Sequence, residues 1–152
     1  MFKKLIQTDN DTAMSILRVL LGIVFLPHGL QKTIGWFGGY GFSGTMGFFT
    51  GTLGIPAVLA FIAIMAEFLG SLGLISGLFT RVAALAIGVE MAVAAYMLHL
   101  QHGFFMNWFG NQKGEGYEYH ILAIAIAIAL TVKGGGSWSV DRALATQGEQ
   151  QG

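Results

Sequence analysis

The sequence contains no cysteine, so no disulfide framework and no thiol-disulfide step can reside in this chain alone. Charge is nearly as scarce. Asp, Glu, Lys and Arg make up 11% of its 152 residues, against about 25% in an ordinary soluble domain. The formal net charge is zero and there is no basic run, which removes nucleic acid as a partner. HxxxH and HExxH spacings are absent, as are a glycine-rich phosphate loop after a strand and any Ser-His-Asp or Cys-His arrangement. Four histidines, His28, His99, His102 and His120, remain as metal candidates. His99 and His102 are three apart but straddle an expected helix end, so no metal or haem site is assigned.

What the chain has instead is apolar sequence, 54% hydrophobic residues gathered into runs of about 20. This predicts an integral membrane protein rather than a soluble helical core. The run from Pro56 to Leu78 poses the central problem. Its 23 residues hold a single ionisable group, Glu67, at the twelfth position. At ~1.5 Å of rise per residue the run crosses a hydrocarbon layer of ~30 Å. A carboxylate at mid-depth must face other helices, a partner or a water-filled cavity.

Four spans are expected, at about 14–34, 56–78, 81–100 and 117–132, within a transmembrane domain of residues 14–133. The first run is too long for a signal-peptide core and lacks a small-residue cleavage site. Pro27 is expected to kink it. Arg18, Gly22, Phe25, Gly29 and Lys32 share one face of that helix, within about 80°. In the second span Ala66, Gly70, Gly73 and Gly77 form a small-residue stripe, for packing inside the bundle or for a homo-oligomer face. Leu78 to Arg81 is a tight turn, so spans two and three form a hairpin. Glu90 lies at the middle of span three, and His99, nine residues on, points to the opposite side of a regular helix. The ILAIAIAIAL of span four alternates like a strand, but a lone strand in lipid leaves its backbone unpaired, so helix is expected. Two loops, Gly35 to Ile55 and Gln101 to Gly116, are rich in glycine and aromatics, fit for the headgroup boundary or a re-entrant lid.

The predicted fold is all-α, an integral membrane antiparallel four-helix bundle with aromatic and glycine-rich outer loops. Lys3, Lys4, Arg81, Lys133 and Arg142 fall on the side of the termini, and Lys32 and Lys113 on the other. The positive-inside rule then makes residues 1–13 and 134–152 cytoplasmic.

Three cations, Arg18, Lys32 and Arg81, and three carboxylates, Glu67, Glu90 and Glu118, lie in or beside the spans, and equal numbers predict pairing. Depth points to Lys32 with Glu118 at the outer end. Arg18, six residues or about 9 Å away in depth, reaches Glu67 or Glu90 only if the helices tilt, and it is then expected to hold the charge of Glu67. His28, His99, Glu118 and His120 then outline a proton path from the outer face to Glu67 and Glu90. Pairs that only fix helix register are the competing reading.

In order along the chain, RVLLGIVFLPHGLQKTIGWFGG (Arg18 to Gly39), AEFLGSLGLISGLFTR (Ala66 to Arg81), HGFF (His102 to Phe105), YEYHILAIAIAIAL (Tyr117 to Leu130) and SVDRAL (Ser139 to Leu144) resemble the DoxX family of small bacterial four-helix membrane proteins. The resemblance implies a multi-pass protein of the bacterial inner membrane. It also implies that Arg18, His28, Lys32, Glu67 and Arg81 occupy recurrent polar positions. The family is linked to thiosulfate:quinone oxidoreduction, membrane redox complexes and oxidative stress, which implies a membrane subunit or quinone-interacting component, with a soluble redox enzyme as partner. No electron-carrying cofactor is announced by the sequence, and whether the chain is itself an enzyme stays open. Two rivals stand beside this reading: a transporter of protons or a small solute, and a non-catalytic scaffold for a soluble redox enzyme.

Overall fold

The computed structural model describes residues 5–150, with side chains described to residue 147. Lys3 and Lys4, which entered the charge comparison between the two sides, lie outside the described residues. Among the described residues there is no strand.

Helix α1 (Thr12–Thr33) opens at Asp11, whose carboxylate accepts from the Ala13 and Met14 amides at 2.8 and 3.3 Å. Those amides have no partner within the helix, so the cap supplies one. Pro27 lies inside α1, which continues to Thr33. Arg18, Leu21, Gly22, Phe25 and Gly29 are buried along it.

The glycine-rich stretch that follows holds a 3₁₀ turn (Trp36–Gly38), the seven-residue helix α2 (Gly41–Gly47) and a π turn (Phe48–Thr52). Trp36, Phe37 and Tyr40 stand exposed there.

Helix α3 (Ala57–Ser76) starts after Pro56 and stops at Gly77, which is left-handed with φ 73°. A side chain at Gly77 is doubly disfavoured. Its Cβ would lie 2.5 Å from the Ser139 Cβ and 2.9 Å from the Arg18 Cζ. Helix α4 (Thr80–Ala94) follows at once and runs on through a π turn (Ala95–His99) and a 3₁₀ turn (Leu100–His102). Its first amides, of Phe79 and Thr80, donate to the Asp141 carboxylate at 2.7 and 2.8 Å. Helix α5 (Glu118–Lys133) carries the alternating ILAIAIAIAL segment. Beyond it the chain forms a further helix, α6 (Val140–Gln150).

Helix α1 packs on α3, α3 on α4, α4 on α5, and α5 back on α1. The α1–α3 contact is the closest in backbone terms. A Cβ on Gly22 would meet the Ser71 carbonyl at 2.9 Å, and one on Gly29 the Phe68 Cα at 2.8 Å. Small residues therefore bring these two backbones together, as helices in lipid commonly do. Leu21, Phe25, Leu74, Ile87, Ala127 and Leu130 fill the centre. Outside, Leu20, Ile23, Val58, Leu59, Leu85 and Leu122 are each more than half exposed. Three helical stretches, Thr12–Thr33, Ala57–Ser76 and Thr80–His102, are long and apolar enough to cross a membrane. Lipid is the solvent in which that apolar exterior costs nothing. At 16 residues α5 is about 24 Å long by helical rise.

Candidate functional site: a polar core between the helices

Four elements converge on Glu67, which is 1% exposed at the middle of α3. From α1 comes Lys32, whose ammonium forms an ion pair with the Glu67 Oε2. From α4 comes Glu90, whose carboxyl, with its Oε2 buried, lies within the electrostatic field of Glu67 and Lys32. Tyr119, at the start of α5, stacks on Phe25 with ring centroids 6.3 Å apart, and its buried hydroxyl lies within the field of Glu67. Two carboxylates sharing one apolar site repel each other, which disfavours charging both. With one proton on the pair and one charge on Lys32, the trio is neutral, which lowers the cost of holding it inside an apolar bundle.

The Lys32 pairing differs from the expected one with Glu118. Gly29 lies against Glu67 and Phe68, so Lys32 starts less than one turn further along α1. A helical side chain leans back toward its own N-terminus, and a lysine reaches that far easily. Glu118 instead orders the loop before α5, accepting from the Met106 amide at 2.9 Å and the Trp108 indole at 3.3 Å.

Arg18 also departs from expectation. It is 1% exposed, and among the described residues its partners are all backbone carbonyls. Its guanidinium donates to Gly135 O at 2.9 Å, Ile75 O at 2.8 Å, Trp138 O at 2.6 Å and also to Leu74 O. Eleven residues, about 16 Å of helix, separate it from Gly29, beyond the reach of even an arginine to Glu67. It closes the end of α3 instead, whose last carbonyls have no helical partner. Arg81 does the same for α5, donating to Thr131 O and Val132 O at 2.8 and 2.7 Å and to Gln7 O at 2.9 Å.

His28 is exposed on α1, rotated by one residue from Gly29 and the α3 contact, and its ring neighbour is Phe25 at 6.4 Å. It is not brought to the glutamates. His99 and His120 do meet, with ring centroids 4.1 Å apart. The π turn at Ala95–His99 adds a residue to the helical turn and swings His99 round toward α5, against the regular-helix expectation. Nδ1 of His99 lies 2.9 Å from Glu115 O, and the buried Nδ1 of His120 has no partner. His102 packs instead against Gly114, where an added Cβ would lie 2.6 Å from its ring. Among the described residues no three His, Cys, Asp or Glu side chains are placed to hold a metal ion.

Tyr119 is the member of the core that the sequence did not single out. Its signal was weak, since one aromatic in YEYH at an interface reads as an ordinary membrane anchor.

Residues 13–100 match the family model DoxX. The chain is 31% identical over 116 residues to "Putative oxidoreductase CatD" of Bacillus subtilis, an alignment covering 76% of each protein. It is 27% identical over 135 residues to "Inner membrane protein YqjF" of Escherichia coli, covering 89% of this chain and 94% of that one. A Haemophilus influenzae protein named only as uncharacterized is 39% identical over 87 residues, 57% of this chain and 59% of the other. No solved structure matches the chain. With more than half of its length under the family model, and a relative of this identity aligned over three quarters of both proteins, the chain belongs to the DoxX family of membrane proteins.

Proposed function

We propose that this chain is a multi-pass inner-membrane protein that serves as the quinone-interacting component of a redox or oxidative-stress system. In this reading α1, α3, α4 and α5 are the four spans of an antiparallel bundle, with both termini in the cytoplasm. The observation that carries it is the Lys32, Glu67, Glu90 and Tyr119 core. Reducing a quinone to a quinol takes two electrons and two protons. A quinone oxygen needs donors, which the Lys32 ammonium and Tyr119 hydroxyl are, and the carboxyl pair stores and yields a proton. The electrons come from a partner, a soluble redox enzyme, because a chain without cysteine has no thiol relay. An apolar groove of about 530 Å³ on the outer face of α3 and α4, lined by Phe61, Met65, Leu69 and Phe79 among others, suits an isoprenoid tail lying in the bilayer. The name of CatD and the inner-membrane name of YqjF support the redox setting and the location respectively.

The test is a titration of the detergent-purified protein with a short-chain quinone, followed by quenching of Trp36, Trp108 and Trp138. Saturable binding is expected, weakened about tenfold in Glu67→Gln and in Tyr119→Phe, as for one lost hydrogen bond to a charged or buried group. Quenching that rises linearly with detergent partitioning, alike in all three proteins, refutes it. In that case flux of protons or a solute in liposomes, lost in Glu67→Ala, supports the transporter reading. Co-purification of a redox enzyme without ligand binding supports the scaffold.

A further inference from the structure

The two ends of the polar core are built differently. Toward the turn between α3 and α4, Arg18 and Arg81 are spent on backbone carbonyls, four and three respectively, and Lys133 pairs with Asp9 at 3.2 Å near the surface. A guanidinium has no acceptor and does not release its proton, so neither residue passes a proton on. Two fixed positive charges also oppose the passage of a hydrated proton, as cationic constrictions do in water channels. Asp141 on that side is held by two amides, and Ser15 donates to Asp11 O at 3.2 Å.

Toward the Gln101 to Gly116 loop the groups are of the opposite kind. His99 is half-buried, with its ring 4.1 Å from that of His120. His120 is 5% exposed, carries an unpartnered Nδ1 and lies 5.7 Å, ring to ring, from Tyr119. The Tyr119 hydroxyl and the Oε2 of Glu90 are likewise buried without partners. Imidazole, phenol and carboxyl can each accept one proton and release another, which is what a relay requires. The other ionisable groups near this end are Lys113, Glu115, Glu118, His102 and Tyr117 around the loop, Tyr96 in the π turn, Lys32 and His28 on α1 and Glu67 on α3; Lys113 and Tyr96 are exposed. Glu118 is committed to Met106 and Trp108, and His102 packs on Gly114.

We infer that the Glu67 and Glu90 carboxyl pair exchanges its proton with water on one side of the membrane only, through Tyr119, His120 and His99 to the Gln101 to Gly116 loop. Water bridges the gaps between side chains that do not touch. In each step a proton enters one face of a group as another leaves the opposite face, so no group gains net charge. This deepens the proposed function by giving its protons a side. It rests on that reading only for what the protons are used for.

The experiment is infrared spectroscopy of the purified protein in detergent, with a rapid change from H₂O to D₂O and the C=O stretch of a protonated carboxyl as readout. Glu90→Gln identifies the band by removing it. His120→Phe and, at a less buried position, His99→Phe are each expected to slow the isotope shift by roughly tenfold or more, the scale of a lost proton-transfer group. Thr80→Val, at the arginine end, is expected to exchange at the wild-type rate. Wild-type exchange in both histidine variants overturns the inference. So does slowing in Thr80→Val alone, or the absence of a band sensitive to Glu90→Gln. No quinone is present, so the outcome is independent of the quinone titration.

Discussion

Removing the charge of Lys32 tests whether that residue holds Glu67 in place. Glu67 is 1% exposed, while 26% of the Lys32 side chain is exposed. Breaking a fully buried ion pair from one side costs about 3–5 kcal/mol, because a desolvated charge is left behind. The partial exposure of Lys32 puts Lys32→Met near the lower end, about 3 kcal/mol. Glu67→Gln is milder, about 1 kcal/mol, because the ammonium can swing toward water or toward Glu90. The double variant has no charge to strand and loses about 2 kcal/mol, so the cycle yields a coupling of about 2 kcal/mol. Equilibrium unfolding in mixed micelles of rising dodecyl sulfate fraction, followed by tryptophan fluorescence and circular dichroism, supplies all four values. If the single effects add to within about 0.5 kcal/mol in the double variant, Lys32 does not hold the Glu67 charge and the core is wrongly described.

Gly29→Ala is expected to cost about 1–3 kcal/mol in the same assay, because its Cβ would sit 2.8 Å from the Phe68 Cα and backbone cannot step aside. Gly47→Ala, where nothing lies within 4 Å, is the control and is expected to be neutral or stabilising by up to about 1 kcal/mol. Equal effects at the two glycines would disprove the close α1–α3 approach. Arg18→Lys is expected to cost about 2–4 kcal/mol, since one ammonium cannot serve carbonyls on α3, at Gly135 and at Trp138 together. It is also expected to quicken trypsin cleavage at Arg142, and wild-type stability with wild-type cleavage would remove Arg18 as the tie between the helices and the C-terminal segment.

The arrangement of the polar groups divides the chain by role. Arg18, Arg81 and Asp141 satisfy backbone groups at helix ends, where four carbonyls or four amides of every helix go unpaired. Such a task has to be met in any helical membrane protein. Lys32, Glu67, Glu90 and Tyr119 meet no backbone need that the structure shows. A bundle made only to be stable would fill those positions with leucine, so the cost of keeping them polar is an argument for use.

The sequence by itself determined that the chain is helical and made for a membrane. Composition alone does this, since 54% hydrophobic residues in long runs with 11% charged residues leave no other solvent for the exterior. Motif order likewise carried the DoxX family. Glu67 stood out because a single carboxylate in 23 apolar residues must be answered by something. What answers it was decided by the tertiary structure. Helical period gives each side chain a face and a depth, but the reach of a lysine or arginine exceeds one turn, so depth paired Lys32 with Glu118 and left Arg18 to reach a glutamate only by helix tilt. Close backbone contact at Gly22 and Gly29 fixed the α1–α3 register, and that register put Lys32 on Glu67 and Arg18 on the carbonyls of Leu74 and Ile75. The meeting of His99 with His120 depends on a π turn, which adds one residue to a helix and leaves no mark in an apolar sequence.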